Sequence, residues 1–192
     1  TTSESEITIS VSGTTLTMTP DNDWSGTSTI TAKANDGTAY SVAKTFTLTV
    51  SGSNDTPVIG SVSTQTTNED TAKAVTLSVS DSDSGDSHTY YATSSSTSVT
   101  PSISGATLTL TPAANFNGNS TITIKANDGT VYSIAKTFTL TVSAVNDAPV
   151  LASISNQSTL EDTAKAVTLS GSDIDGDSMT YSATTSESEI TI

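Results

Sequence analysis

The sequence predicts an all-β chain built from tandem β-sandwiches stacked end to end, and three observations carry that expectation. Apolar residues alternate with threonine or serine at period two through many short segments, as in Thr107-Leu108-Thr109-Leu110-Thr111 and Thr137-Phe138-Thr139-Leu140-Thr141-Val142. No stretch shows helical periodicity. The pattern also repeats: Asn35-Asp36-Gly37 returns as Asn127-Asp128-Gly129, Asn54-Asp55 as Asn146-Asp147 and Glu69-Asp70 as Glu161-Asp162, each 92 residues on (127 minus 35). The nine residues Thr1–Ile9 recur as Thr184–Ile192, which adds a longer spacing of 183 (184 minus 1). A fixed period means one structural unit used repeatedly, so function is to be sought in the array and its junctions. The window reads as residues 1–53, the C-terminal half of one repeat; 54–145, a complete repeat; and 146–192, the N-terminal half of the next.

Within the complete repeat, seven strands are expected. Strand A covers Val58–Thr66, B Ala74–Ser80, C Thr89–Thr93, D Val99–Ser104, E Thr107–Thr111 and F Ser120–Ala126. Strand G is reached through Val131–Ala135 and ends at Val142, a run long enough to call for a bulge or a sheet switch. Period two puts Leu, Ile, Phe and Val on one face and β-branched threonine on the wet face. Seven short strands separated by turn signals fit a Greek-key, immunoglobulin-like sandwich. The window is then cut between strands C and D, leaving D–G in residues 1–53 and A–C in 146–192. Trp24 and Phe116 hold equivalent places before Gly26 and Gly118. The ordinary reading is an aromatic plug at one end of the core, and a sugar-stacking ring is the sharper alternative.

Composition narrows the function. Twenty acidic residues stand against six lysines, for a net charge of −14, and there is no cysteine. Nucleic acid and anionic membrane surfaces are poor partners for such a chain. Neither disulfides nor thiolate metal sites hold the fold. These residues contain no signal peptide, transmembrane stretch or lipidation motif, so membrane insertion is not expected in this segment.

The carboxylates occupy repeated positions: Asp55 and Asp147; Glu69, Asp70, Glu161 and Asp162; Asp81, Asp83 and Asp86; Asp173, Asp175 and Asp177; Asp36 and Asp128. Crowded carboxylates repel, so a design that repeats them calls for a cation. If strand A runs from top to bottom, alternation places the B–C turn, the F–G turn and the entering Asn-Asp linker at the top. The A–B turn with Glu69-Asp70 falls at the bottom. Stacked units therefore bring all four acidic clusters to every junction. Oxygen ligands at this density, without cysteine or repeated histidine, specify Ca²⁺ over zinc or Mg²⁺. The aspartate loop lacks the closing Glu of an EF-hand, and a merely solvated acidic turn is the bland alternative.

Asn146-Asp147-Ala148-Pro149-Val150, Glu161-Asp162-Thr163, Asp173-Ile174-Asp175-Gly176-Asp177 and Asn127-Asp128-Gly129 together resemble the motifs of bacterial cadherin-like tandem repeats. Such repeats form the stalks of giant secreted surface adhesins, including RTX-type and biofilm-associated ones. The resemblance implies Ca²⁺ held between domains. One junction would use Glu69, Asp70, Asn146, Asp147, Asp173, Asp175 and Asp177. The other would use Asn54, Asp55, Asp81, Asp83, Asp86 and Asp128, without an upstream Glu-Asp pair. The loop Asp81-Ser82-Asp83-Ser84-Gly85-Asp86 carries one more residue than Asp173–Asp177, and the linker is shorter than that of animal cadherins, so one or two ions per junction are expected.

Other readings are weaker. The single histidine, His88, aligns with Met179, and no phosphate loop, nucleophile elbow or zinc signature appears, so enzymatic activity is not expected. Threonine rows could present an ice-binding face, but twisted strands spoil a flat lattice match. Repeated lysines beside Asn and Asp raise isopeptide crosslinking, although edge protection is their commoner role. Three Asn-x-Ser/Thr sites leave glycosylation open. The sequence thus predicts an extracellular, cell-surface stalk segment stiffened by calcium, whose partners are neighbouring repeats of its own or like chains. Surface or matrix glycans would be met by regions outside it. The alternatives are a filament subunit completed by strands of neighbouring chains, or a carbohydrate- or surface-binding module.

Overall fold

The computed structural model describes residues 6–83 and 85–187. Both copies of the duplicated nine-residue end extend outside that range. The described chain is all β. The first segment carries β1 (Ile7–Ser12), β2 (Thr15–Pro20), β3 (Gly26–Ala32) and β4 (Lys44–Val50). The middle contributes β5 (Val58–Ile59), β6 (Gln65–Asn68), β7 (Lys73–Thr76), β8 (Val79–Ser80) and β9 (Thr89–Ser94). It continues with β10 (Val99–Ser104), β11 (Thr107–Pro112), β12 (Gly118–Asn127) and β13 (Lys136–Ser143). Two short strands follow, β14 (Val150–Leu151) and β15 (Gly171–Ser172).

The middle unit is a two-sheet sandwich. One sheet runs β6-β13-β12-β9, with β6 parallel to β13 and the remaining pairs antiparallel. The other runs β10-β11-β7, extended by the β5–β8 pair. Alternation does the packing, as expected of period-two sequence. In β12, Ser120, Ile122, Ile124 and Ala126 are buried while Asn119, Thr121 and Lys125 are exposed. Leu108, Leu110, Ile122, Ile124, Leu140 and Val142 form the centre, with Ile59, Val75, Leu77, Val99 and Phe138 around them. This is the immunoglobulin/cadherin-like sandwich the sequence predicts.

Two expected strands differ in detail. Strand A is not continuous: β5 pairs with β8 and β6 with β13, so the chain changes sheets between them. Gly60 permits the change by lying against Ser78. Its N–H donates to the Ser78 carbonyl at 2.8 Å or less (2.7 Å), and a Cβ there would sit 2.1 Å from Ser78 Oγ. Strand G begins only at Lys136. Residues 131–135 make a single bridge, Tyr132 to Asn127, and Ser133 closes it by donating its N–H to the Ala126 carbonyl and accepting the Ala126 N–H on Oγ. The long run is therefore a turn plus a strand, and no bulge is needed.

The flanking segments copy the middle unit's registers. Ile7↔Pro20 and Gly26↔Val50 repeat as Val99↔Pro112 and Gly118↔Val142. Val150↔Ser172 repeats Val58↔Ser80. The segment after residue 146 was expected to hold strands A–C. Among its described residues only β14–β15 form, because the other ladders of this half need β11, β12 and β13 equivalents that it does not contain.

Leu140 is fully enclosed at the centre of the sandwich, so Leu140→Ala is expected to destabilise the middle unit by about 2–5 kcal/mol. Thr121→Ala, on the wet face of the neighbouring strand, should stay within about 0.5 kcal/mol. Urea denaturation of the two variants checks the difference.

Candidate metal centre

The linker and the B–C turn are joined by the same bonds at both junctions. Asp147 N–H donates to Asp175 Oδ2 at 2.6 Å, and Asp55 N–H donates to Asp83 Oδ2 at 2.6 Å. Asn146 Nδ2 donates to the Asp147 carbonyl at 2.7 Å, and Asn54 Nδ2 to the Asp55 carbonyl at 2.7 Å. Within the turn, Asp175 N–H donates to Asp173 Oδ1 at 2.9 Å, as Asp83 N–H does to Asp81 Oδ1 at 3.2 Å. Each of these turn aspartates thus holds the backbone with one of its oxygens.

At the second junction the preceding sandwich adds a buried acid. Glu69 follows β6 and is only 3% exposed. Its N–H donates to the Ser143 carbonyl at 2.9 Å, and its Oε1 accepts the Val145 N–H, so it ties the end of β13 to the linker. One carboxylate oxygen from each of Glu69, Asp147 and Asp175 lies within 4.8 Å of the others. Glu69 Oε2 and Asp147 Oδ2 are buried and accept no hydrogen bond among the described residues. Two buried anionic oxygens without donors, on carboxylates clustered with a third, fit a cation with hard-oxygen preference. Asp70, Asp173 and Asp177 surround this core: the first two add their charge to Asp147, and Asp177 N–H donates to Asp173 Oδ1 at 3.3 Å.

Electrostatics reports the same crowding. Burial raises the Asp147 carboxyl above its ordinary value, and the charges of Asp175, Asp70, Glu69 and Asp173 raise it further. Asp55 is raised too, by burial and then by Asp23, Asp83 and Asp81. Asp128 moves the other way. The N–H of Val131 lowers it most, and Asn54 Nδ2 (3.0 Å from Oδ2) and the Thr130 N–H add to the effect. Asp36 is likewise lowered by the N–H groups of Ala39 and Thr38.

The structure therefore sorts the residues expected as ligands. Glu69, Asp147 and Asp175 come together, with Asp70, Asn146, Asp173 and Asp177 about them. Asn54, Asp55, Asp81 and Asp83 gather at the first junction. Asp128 reaches the same linker but spends both oxygens on its own turn and on Asn54. Asp36 is exposed and bonds within its own turn, while Asp86 is exposed. His88 lies in the loop before β9, with its Nε2 2.9 Å from Asp81 Oδ2.

One position escaped the sequence reading. Asn115, in the β11–β12 loop, donates its N–H to Asp70 Oδ1 at 3.1 Å and lines a cavity with Asn146, Asp175 and Asp177. Its equivalent, Asp23, is the charged neighbour of Asp55. Both have positive φ, 55° and 61°, as do Asp70 and Asp162 at 57° and 58°. Strand alternation already places this loop at the bottom with the A–B turn, but the aromatic beside it drew the attention. That aromatic behaves as a plug: Phe116 packs on the core, and a Cβ on Gly118 would meet its ring at 3.6 Å.

Fold and junction define an immunoglobulin/cadherin-like repeat. Residues 54–142 match the family model described as Bacterial Ig domain. Among solved structures, human mucin-like protocadherin EC1-2 aligns with 74% of this chain and 82% of its own at 18% identity, with a TM-score of 0.51. That is a likeness of fold. A protocadherin gammaB7 EC3-6 cis-dimer structure aligns over 79% of this chain and 40% of its own (23% identity, TM-score 0.47). Surface layer protein SbsC, domains 4-9, aligns over 73% and 21% (21% identity, TM-score 0.40). The chain spans less than half the length of the latter two. No curated protein sequence matches the chain.

The opposed shifts give a metal-free test. A raised acid costs stability once ionised, so Asp147→Asn should raise the melting temperature at neutral pH, and the gain should fade as pH falls through the raised carboxyl range. A lowered acid contributes stability above the ordinary carboxylate range and loses it as pH falls through its depressed value. Asp128→Ala should therefore lower the melting temperature at neutral pH and matter least in strong acid. Thermal melts across pH with chelator present check both signs.

Proposed function

We propose that this chain is a non-enzymatic structural segment of a long extracellular repeat protein, in which calcium at the junctions fixes the angle between neighbouring sandwiches. Residues 54–145 are then one complete repeat, flanked by parts of its neighbours in 1–53 and 146–192. The observation that carries the reading is the buried Glu69, which has an unpartnered oxygen and whose carboxylate lies within 4.8 Å of those of Asp147 and Asp175. A residue of the preceding sandwich, a linker residue and a turn residue of the following segment share one charge problem. A single cation would solve it for all three.

The residues that would hold the ion at the second junction are Glu69, Asp147 and Asp175, supported by Asp70, Asn146, Asp173, Asp177 and Asn115. At the first, Asn54, Asp55, Asp81 and Asp83 would act with Asp23. When bound, Ca²⁺ supplies positive charge and a flexible oxygen-coordination sphere. The chain's own part is positional. The linker N–H groups lock the aspartates of the B–C turn, and Glu69 locks the linker to the sandwich that precedes it. Asp128 and Asp36 serve the shape of their turns. Bacterial Ig domain character of the middle unit supports a surface or secreted setting, as a stalk or filament of an adhesin-like protein.

Binding to the folded, aligned state stabilises it by linkage, about 2.7 kcal/mol at a hundredfold excess over Kd. Calcium titration of the chain should raise its melting temperature and, by small-angle scattering, lengthen and stiffen the particle. Asp175→Ala should weaken that response by more than tenfold in affinity while leaving the middle sandwich folded. Asp147→Asn, stabilising without metal, should become destabilising in calcium. Identical melting and scattering in calcium and in EDTA would sink the reading.

A further inference from the structure

We propose that Tyr91 and Tyr132 form an oxidative crosslinking site, at which a carbon–carbon bond between their rings staples β9 to the turn that precedes β13. Tyr91 lies on β9, paired with Lys125 of β12. Tyr132 bridges to Asn127 from the opposite edge of β12, the edge that β13 occupies. Both side chains lean over the middle strand. Their ring centroids come within 5.1 Å at an interplanar angle of 66°, an edge-to-face pair. Lys125 Nζ lies 5.9 Å from the centre of the Tyr132 ring, and Thr93 and Thr123 line the cleft with them.

Packing of the core does not call for this pair. Tyr91 is 47% exposed and Tyr132 is 52% exposed. In the other copy the position is Ser182, three residues on from Met179 as Tyr91 is from His88. The fold therefore accepts a small polar residue there, and it is the neighbouring Tyr90 that packs against the core. The Tyr132 hydroxyl, and then Thr89, hold the Tyr91 phenol below its ordinary value, while Tyr91 and then burial raise Tyr132. A phenol nearer to phenolate yields an electron more readily, so Tyr91 is the first of the two to react.

The oxidant is hydrogen peroxide acting through a haem peroxidase, and the extracellular setting proposed above is where the chain would meet it. One peroxide takes one electron and one proton from each phenol and leaves as two waters. The two phenoxyl radicals join through the ring carbons beside their oxygens. The hydrogen on each joined carbon then shifts to oxygen and restores the phenol, so the chain loses two hydrogen atoms in all. The bond closes a loop across 41 residues of sequence (132 minus 91). It restricts the unfolded chain as a disulfide does, in a chain that has no cysteine. It also fixes the turn whose Asp128 accepts from Asn54 Nδ2 at 3.0 Å, beside the first linker.

The test treats the dilute 192-residue chain, without calcium, with a haem peroxidase and one equivalent of hydrogen peroxide. Intact mass should fall by two hydrogens with the chain still monomeric. Trypsin, cutting after Lys73, Lys125 and Lys136, should release residues 74–125 joined to 126–136. Tyr91→Phe and Tyr132→Phe keep the ring, and each should abolish this product although Tyr40, Tyr90 and Tyr181 remain. The crosslinked chain should melt at a higher temperature than the untreated one. An unchanged mass, coupling between chains in its place, or a product that survives either substitution would overturn the proposal. A crosslink that forms without raising the melting temperature would overturn its role as a staple. No cation takes part, so each of these results leaves the calcium reading to its own titration.

Discussion

Glu69 lies almost wholly out of water at the end of the middle sandwich, and the junction's geometry follows from how its two oxygens are used. One accepts the Val145 N–H and so ends the sandwich and starts the linker. The other is buried without a donor, and one oxygen of this carboxylate lies within 4.8 Å of an oxygen of each of Asp147 and Asp175. A buried carboxylate with one unsatisfied oxygen is costly unless another charge or donor meets it. The same side chain that ties the end of β13 to the linker therefore also adds to the charge crowded on Asp147.

Much of this was legible because strand parity is legible. Period-two alternation locates strands, and an odd number of reversals assigns each turn to one end. That alone brings Glu69, Asp147 and Asp175 to one place, and the Asp55–Asp83 contact follows by repetition. The split of strand A was hidden, since its cause is the close approach of Gly60 to Ser78, a tertiary contact with no local signature. The division of labour among the aspartates was hidden as well. Asp128 and Asp175 look alike in a list of acidic residues. In space, Asp128 spends its oxygens on the Thr130 and Val131 N–H groups and on Asn54, while Asp175 spends one on the linker and keeps the other. Asx-turn chemistry consumes a carboxylate's acceptors without changing its identity.

Apolar and charged groups divide the work of the repeat cleanly. Along the strands, burial specifies register, since a slip of one residue would turn every Leu and Ile outward. At the ends, where backbone turns back and cannot be covered by core, carboxylates hold the loops through backbone N–H groups. The cost is mutual repulsion, visible in the raised carboxyls of Asp55 and Asp147. A chain without cysteine has no disulfide to offset that repulsion.

The two junctions keep one scaffold and vary the charges on it. The linker-to-turn bond is 2.6 Å at both, and the Asn side chain closes on the next carbonyl at 2.7 Å at both. What changes is the loop opposite: Asp23 beside Asp55 at the first junction, Asn115 beside Asp70 at the second. The turn changes as well: the Asp81–Asp86 loop is one residue longer, and His88, two residues beyond it, lies against an oxygen of Asp81 where the other copy has Met179. Where the second junction gathers only acids and amides, the first places an imidazole beside Asp81. Conserving the backbone frame while changing these few groups alters the charge gathered at each joint without altering how the linker meets the turn.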